Sequence, residues 1–217
     1  MSTPAGGYKV SVAVFFWLNL PEPILMEVLK DAGFSEVVSR LPSLPIAPGV
    51  QVVLSPSRRL VASYKSVKVN WDSAKFMLSF EGDVEDVVEA LESVMSSFDR
   101  HGYPPEEVCH YYEVSFAPQP LDIGGFVSNL RGKANIELKV GNEVLRPFSI
   151  SFSNFEAPIS RERFYKWFHI TVTPDVNAPQ RRVFVQIIKR DTDLKSTLNF
   201  LKNIGKILQY IREFFTG

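Results

Sequence analysis

Cysteine, histidine and phosphate-cradling glycine motifs are what this 217-residue sequence has least of. A single cysteine, Cys109, excludes an internal disulfide. The three histidines, His101, His110 and His169, stand far apart and lack ligand-spaced partners, so no metal site and no cofactor is expected. Cys109 and His110 are consecutive on a predicted strand. Their side chains then point to opposite faces and do not make a thiol–imidazole dyad. Gly-x-x-x-x-Gly-Lys-Ser/Thr, Gly-x-Gly-x-x-Gly, Gly-x-Ser-x-Gly and His-Glu-x-x-His are all missing. Carboxylate pairs such as Asp193 with Glu213, or Glu81 with Asp83, fall at helix ends, where capping and solvation account for them. No catalytic residue is assigned, and no small-molecule ligand is identifiable.

Long hydrophobic runs are also missing. The apolar segment Val10 to Leu18 alternates like a strand and is too short to span a bilayer, so no membrane span is expected. Met1 to Gly7 has no basic leader-like region, and the expectation is a soluble cytoplasmic protein.

Net charge is zero, but the sum conceals a split. Residues 1–120 carry nine Lys and Arg against fifteen Asp and Glu, and residues 121–217 carry fifteen against nine. The segment Gln119 to Gly125, with its proline and glycines, marks the expected boundary between an acidic half (1–120) and a basic half (121–217). Such asymmetry suits two halves that face each other, head-to-tail association, or a basic half that meets a polyanion.

What is present is periodic. Val10, Val12, Val14 and Phe16 alternate as the inner face of a first strand. Pro21 and Pro23 open a short helix that Gly33 stops. Pro42, Pro45 and Pro48 recur every third residue, which predicts a stiff polyproline connection. Gly49–Leu54 and Leu60–Trp71 read as two strands about a 55–59 turn. Lys75–Glu81 is a further strand, and Val84 to Phe98 has the spacing of a long helix, with Asp83 and Asp86 imitating a capping box. Glu85, Asp86, Glu89 and Glu92 make its outer face acidic, and a solvated face is expected there. Val108–Phe116 is a strand. Gly141-Asn142 joins two arms of a hairpin, the second interrupted at Pro147 or lying at an edge.

The chain closes on a strand, Arg182–Lys189, and a long amphipathic helix. Leu194, Leu198, Leu201, Ile204, Leu208, Ile211 and Phe215 form its stripe, with Phe200, Ile207, Tyr210 and Phe214 widening one flank. Either Asp191 or Asp193 can cap it, and Gly205 is its weak point. Two strands followed by such a helix occur twice, at Tyr64–Phe98 and Phe168–Phe215. The expected fold is therefore α+β: two similar halves, each a mostly antiparallel sheet covered on one face by a long helix. The order loosely resembles a ferredoxin-like arrangement.

One face invites a functional reading. Trp167, His169 and Thr171 share a side of the Phe164–Thr173 strand, with Lys166 at its start and Arg181 and Arg182 across the following loop. Aromatics on an open sheet beside cations can stack bases and hold phosphates, and the same row serves equally as core between two halves. The first expectation is a non-catalytic binding or assembly protein that works through a protein partner or as a homodimer. The alternatives are a nucleic-acid-associated protein using the basic half and an enzyme of unrecognised type. If the terminal helix covers a core, truncation before Lys195 yields insoluble protein; a soluble, cooperatively unfolding product would make the helix an accessory.

Overall fold

The computed structural model describes residues 8–36, 43–47, 50–53, 57–117, 120–154 and 162–216. The chain is mixed α+β, with antiparallel strand pairs and, among the described residues, six helices. It divides into two compact units, Met1–Tyr112 and Glu113–Gly217.

The first unit begins with β1 (Lys9–Phe16), α1 (Glu22–Asp31) and β2 (Ser35–Glu36), followed by β3 (Ser43–Ala47) and β4 (Val50–Val53). It continues with β5 (Arg58–Tyr64), β6 (Val67–Asp72), β7 (Met77–Asp83), α2 (Val84–Arg100), α3 (Pro105–Val108) and the first half of β8 (Cys109–Phe116). β1, β7, β6, β5 and β2 are hydrogen-bonded in that order, every pair antiparallel. The alternation of β1 is realised: Val10, Val12, Val14 and Phe16 are buried while the intervening residues are not. They meet Val67, Val69 and Trp71 of β6, Leu78 and Phe80 of β7, and the buried stripe of α2 in a shared core. Each large side chain so buried contributes about 1.5–3 kcal/mol.

The ends of α1 and α2 follow their glycines. Gly33 and Gly102 take positive φ, and the next residues, Phe34 and Tyr103, donate back to the carbonyls of Leu29 and Phe98. The two helices are tied by the buried Ser97, whose hydroxyl lies 3.0 Å from Val28 O and 2.8 Å from Asp31 Oδ2.

Four expectations are corrected here. Leu60–Trp71 is not one strand but a hairpin, turning at Lys65, which adopts positive φ. Ser43–Ala47 pairs with Val50–Val53, so backbone hydrogen bonds replace the polyproline connection over those residues, while Pro42 and Pro48 lie outside the described ones. The Asp83–Asp86 capping box does not form. Val84 N–H donates to Tyr8 O instead, and Asp86 accepts from Ser66 N–H at 3.2 Å. The acidic face of α2 is also not merely solvated: Tyr64 Oη and Lys65 Nζ donate to Glu89 at 2.6 and 2.5 Å.

The second unit holds the rest of β8, then β9 (Leu121–Asp122), α4 (Phe126–Lys133), β10 (Leu138–Val140), β11 (Glu143–Leu145) and β12 (Ile150–Ser153). A 3-10 turn (Glu162–Tyr165), β13 (Trp167–Pro174), β14 (Arg182–Asp191), α5 (Leu194–Lys202) and α6 (Ile204–Thr216) complete it. β12 pairs with β13, β13 with β14 over eight residues, and β9 with the start of β14. The interruption at Pro147 is present, between β11 and β12.

The terminal helix is two helices, broken at Asn203. The Asn203 side chain donates to Asn199 O at 2.8 Å, a local bond that competes with the helical ladder beside Gly205. Thr197, Phe200, Leu201, Ile204, Leu208, Ile211 and Phe215 are buried. Phe126 of α4 packs against Phe215 with ring centroids 4.6 Å apart, and the Asn129 side chain donates to Phe215 O.

Gly82 sets a close approach in the first unit. A Cβ there would lie 3.0 Å from Ser66 O and Val67 Cα, both backbone atoms that cannot step aside. Gly82→Ala is expected to lose about 1–3 kcal/mol in denaturant titrations. Gly132→Ala, in helix α4 with open space around it, is expected to be neutral or to gain about 0.4–1 kcal/mol.

Candidate functional site

β13 alternates as its sequence requires, so Trp167, His169 and Thr171 share one face and Phe168, Ile170 and Val172 the other. The first face is polar and knitted together. His169 Nε2 lies 3.0 Å from Thr171 Oγ1, which lies 3.2 Å from Ser151 Oγ on β12. Trp167 is half-buried and Lys166 exposed.

The residue that sequence reasoning missed on this face is Arg190. Register places it directly opposite Trp167. Its guanidinium carbon sits 5.3 Å from the Trp167 ring and 4.9 Å from the Phe164 ring, and Nε donates to Glu113 Oε2 at 2.6 Å. An arginine thus already stacks on the indole that a base would use. The signal was available, since antiparallel pairing across a short loop sets the start of one strand beside the end of the next.

Arg181 and Arg182 do not join Trp167. Arg182 pairs with Asp122, at the other end of β14 from Arg190, eight residues or about 27 Å along the strand. Both face carboxylates: Arg181 Nε donates to Asp122 Oδ2 at 2.7 Å, and Arg182 meets the buried Asp175 at 2.8 Å.

Groups with chemical potential elsewhere are inert in their settings. Cys109 is buried against Met95, and burial pushes its thiol up to about 12. Burial also holds His110 below the usual imidazole value, with its ring stacked on Trp17 at 3.7 Å. Among the described residues no group of His, Cys, Asp and Glu is arranged to hold a metal ion, and no helix is long and apolar enough to cross a membrane. A cleft of about 330 Å³ beside α1 carries Glu27, Lys30 and Glu36 among apolar residues.

The helix-covered side of β13 holds a different feature. α5 covers one end, where Phe168 meets Phe200 edge-on at 5.4 Å. Towards the C-terminus of α6 the cover is incomplete. Phe152, Phe168 and Ile170 from the strands and Ile207, Tyr210, Ile211, Phe214 and Phe215 from α6 line a groove of about 310 Å³ that is apolar throughout. Tyr210 is 65% exposed and Phe214 45%. The Phe214 ring packs edge-on against Phe152 at 5.5 Å, and the Lys133 ammonium sits 5.1 Å from its centroid. The sequence shows why: residues 207, 210, 211 and 214 follow the i, i+3, i+4, i+7 spacing of one helical face, the flank that widens the buried stripe.

The helix is aimed at its start by an ionic clamp. Asp193 caps α5 by accepting from Ser196 N–H at 3.0 Å. Asp191 accepts from Ser196 Oγ at 2.6 Å and pairs with Lys189 at 3.0 Å, both side chains largely buried. Burial alone would raise the Asp191 carboxyl, but the bonds from Ser196 and Lys189 outweigh it and hold the group below the usual carboxylate value.

No known protein family matches the chain, and no curated protein matches it either.

A depressed carboxyl stabilises the fold above its unfolded pKa, about 3.9 for Asp, and that contribution is lost as pH falls through the lower folded value. Asp191→Asn is expected to cost about 1–3 kcal/mol at pH 7, with the gap to wild type closing below about pH 4. Denaturant midpoints that stay equally separated down to pH 3 would assign the loss to packing instead.

Proposed function

We propose that this is a non-catalytic binding or assembly protein that acts through protein–protein contacts on the apolar groove between α6 and the β12–β13 strands. One observation carries the reading: a continuous apolar surface, with two aromatic side chains of α6 standing in solvent. Patches of this kind mark contact sites more often than they stand idle, and tyrosine and phenylalanine are favoured at interface centres.

The protein-contact reading is supported over the nucleic-acid one by charge. Arg146, Arg181, Arg182 and Arg190 each face a carboxylate, so these four guanidiniums are already engaged, whereas the groove is lined by aliphatic and aromatic side chains. A single, buried and unpaired cysteine supports a reducing, cytoplasmic setting. The same reading takes Tyr64–Phe98 and Phe168–Phe215 as two halves of one loosely ferredoxin-like plan, supported by the hairpin-then-helix order in both.

A photo-cross-linking amino acid tests this directly. Placed at Tyr210, it is expected to give discrete protein adducts in cells, and placed at Lys195 on α5, outside the groove, none. Equal labelling at the two positions, or none at either, would remove the groove as a contact site.

A further inference from the structure

The groove is not the only unpartnered apolar surface in the second unit. The β10–β11 hairpin turns at Gly141, in positive φ, and its register pairs Leu138 with Leu145 and Val140 with Glu143. One of its faces therefore presents Leu138, Val140 and Leu145, with Glu143 beside the turn. All four are exposed, Leu138 at 60%, and Ile136 just before the arm at 66%. Two strands of three residues do not hold together alone in water. An ion pair of Glu137 with Arg146 ties the base of the arm, and its apolar face finds no cover among the described residues.

We propose that this arm is the groove's occupant, supplied by a second copy of the chain, so that two copies exchange arms about a two-fold axis. The proposal rests on the groove being a contact surface. Both ends of the arm are rooted at the groove's rim: Lys133, which ends α4, lies over Phe214, and β12, which follows the arm, contributes Phe152. Arm and groove thus form neighbouring patches on one unit, and under a two-fold axis both arm-in-groove contacts are made at once, which closes the assembly at two copies.

The area suffices. The exposed parts of Ile136, Leu138, Val140 and Leu145 on the arm and of Phe152, Tyr210 and Phe214 at the groove come to roughly 700–800 Å² per chain, close to the 800 Å² or so per partner of a standard interface. Charge agrees as well. The arm's apolar face has one carboxylate, Glu143, and the groove's rim has the ammonium of Lys133, so the docked arm brings opposite signs together.

Light scattering on four samples of the full chain tests it: wild type, the arm variant Leu138→Asp/Leu145→Asp, the groove variant Tyr210→Asp/Phe214→Asp, and an equimolar mixture of the two variants. The wild type is expected to be a dimer. Each variant is expected to keep its circular dichroism and cooperative unfolding while its dimer dissociation constant rises at least about 30-fold, the loss of one hot spot. The mixture, in which one intact arm meets one intact groove, is expected to regain part of the dimer. Should the groove variant fail to fold, the arm variant alone decides, because the arm lies outside the core. A monomeric wild type, or an arm variant that dimerises normally, overturns the exchange. If the purified chain is monomeric while the cross-linker at Tyr210 captures a different protein, the groove stands as a contact surface and only the second-copy assignment falls.

Discussion

The second unit depends on the register of one hairpin. Trp167 faces Arg190 and Pro174 faces Val183, eight pairs without a bulge. A slip of one residue would turn every side chain of β14 to the opposite face. Val183, Val185 and Ile187 would leave the core, and Phe184, Gln186 and Ile188 would enter it. The same register puts Arg190 on Trp167 and Glu113, and puts Lys189 within reach of Asp191 and Ser196. Apolar burial decides the register, and the charged contacts then fall where it leaves them. That order follows from magnitude: three buried aliphatic side chains outweigh any one exposed or half-buried ion pair.

Several charges are paired within their own unit. The acidic outer face of α2 is answered by Tyr64 and Lys65 on the β5–β6 turn, and Arg100 by Asp31. In the second unit the arginines of β14 and of the hairpin arm each have a carboxylate. Pairing within each half leaves its net charge unchanged, but it engages guanidiniums that would otherwise be free to grip a phosphate.

Much of the architecture was legible because it is written in periods. The alternation of β1, the stripes of α1 and α2, the Gly33 stop and the Gly141 turn all came from residue spacing alone. What was not legible depends on competition between local and long-range bonds. Lys65 turning with positive φ inside an alternating run, and Asn203 breaking a good helical stripe, are outcomes of backbone bonding that no hydrophobic pattern encodes. The Trp167 row was rightly placed on one face. Its companions were not, because Arg181 and Arg182 are near Trp167 only if the loop is imagined without the strand that follows it. Arg190 is eight residues beyond Arg182 in sequence, yet opposite Trp167 in space.

The groove also has a geometric cause. Phe200, Ile207 and Phe214 recur every seven residues, and the break at Asn203 parts Phe200 on α5 from Ile207 and Phe214 on α6. Their exposure climbs along the row, from buried Phe200 against Phe168, through half-buried Ile207, to exposed Phe214. Beside this row β12 contributes Phe152 to the groove, and α6 keeps its apolar flank to its last turn. Phe214 still packs edge-on against Phe215, 4.9 Å between ring centroids, so that part of the flank also serves the core. Tyr210 does not: it is 65% exposed among the described residues, and it is this side chain that the proposed contact would bury.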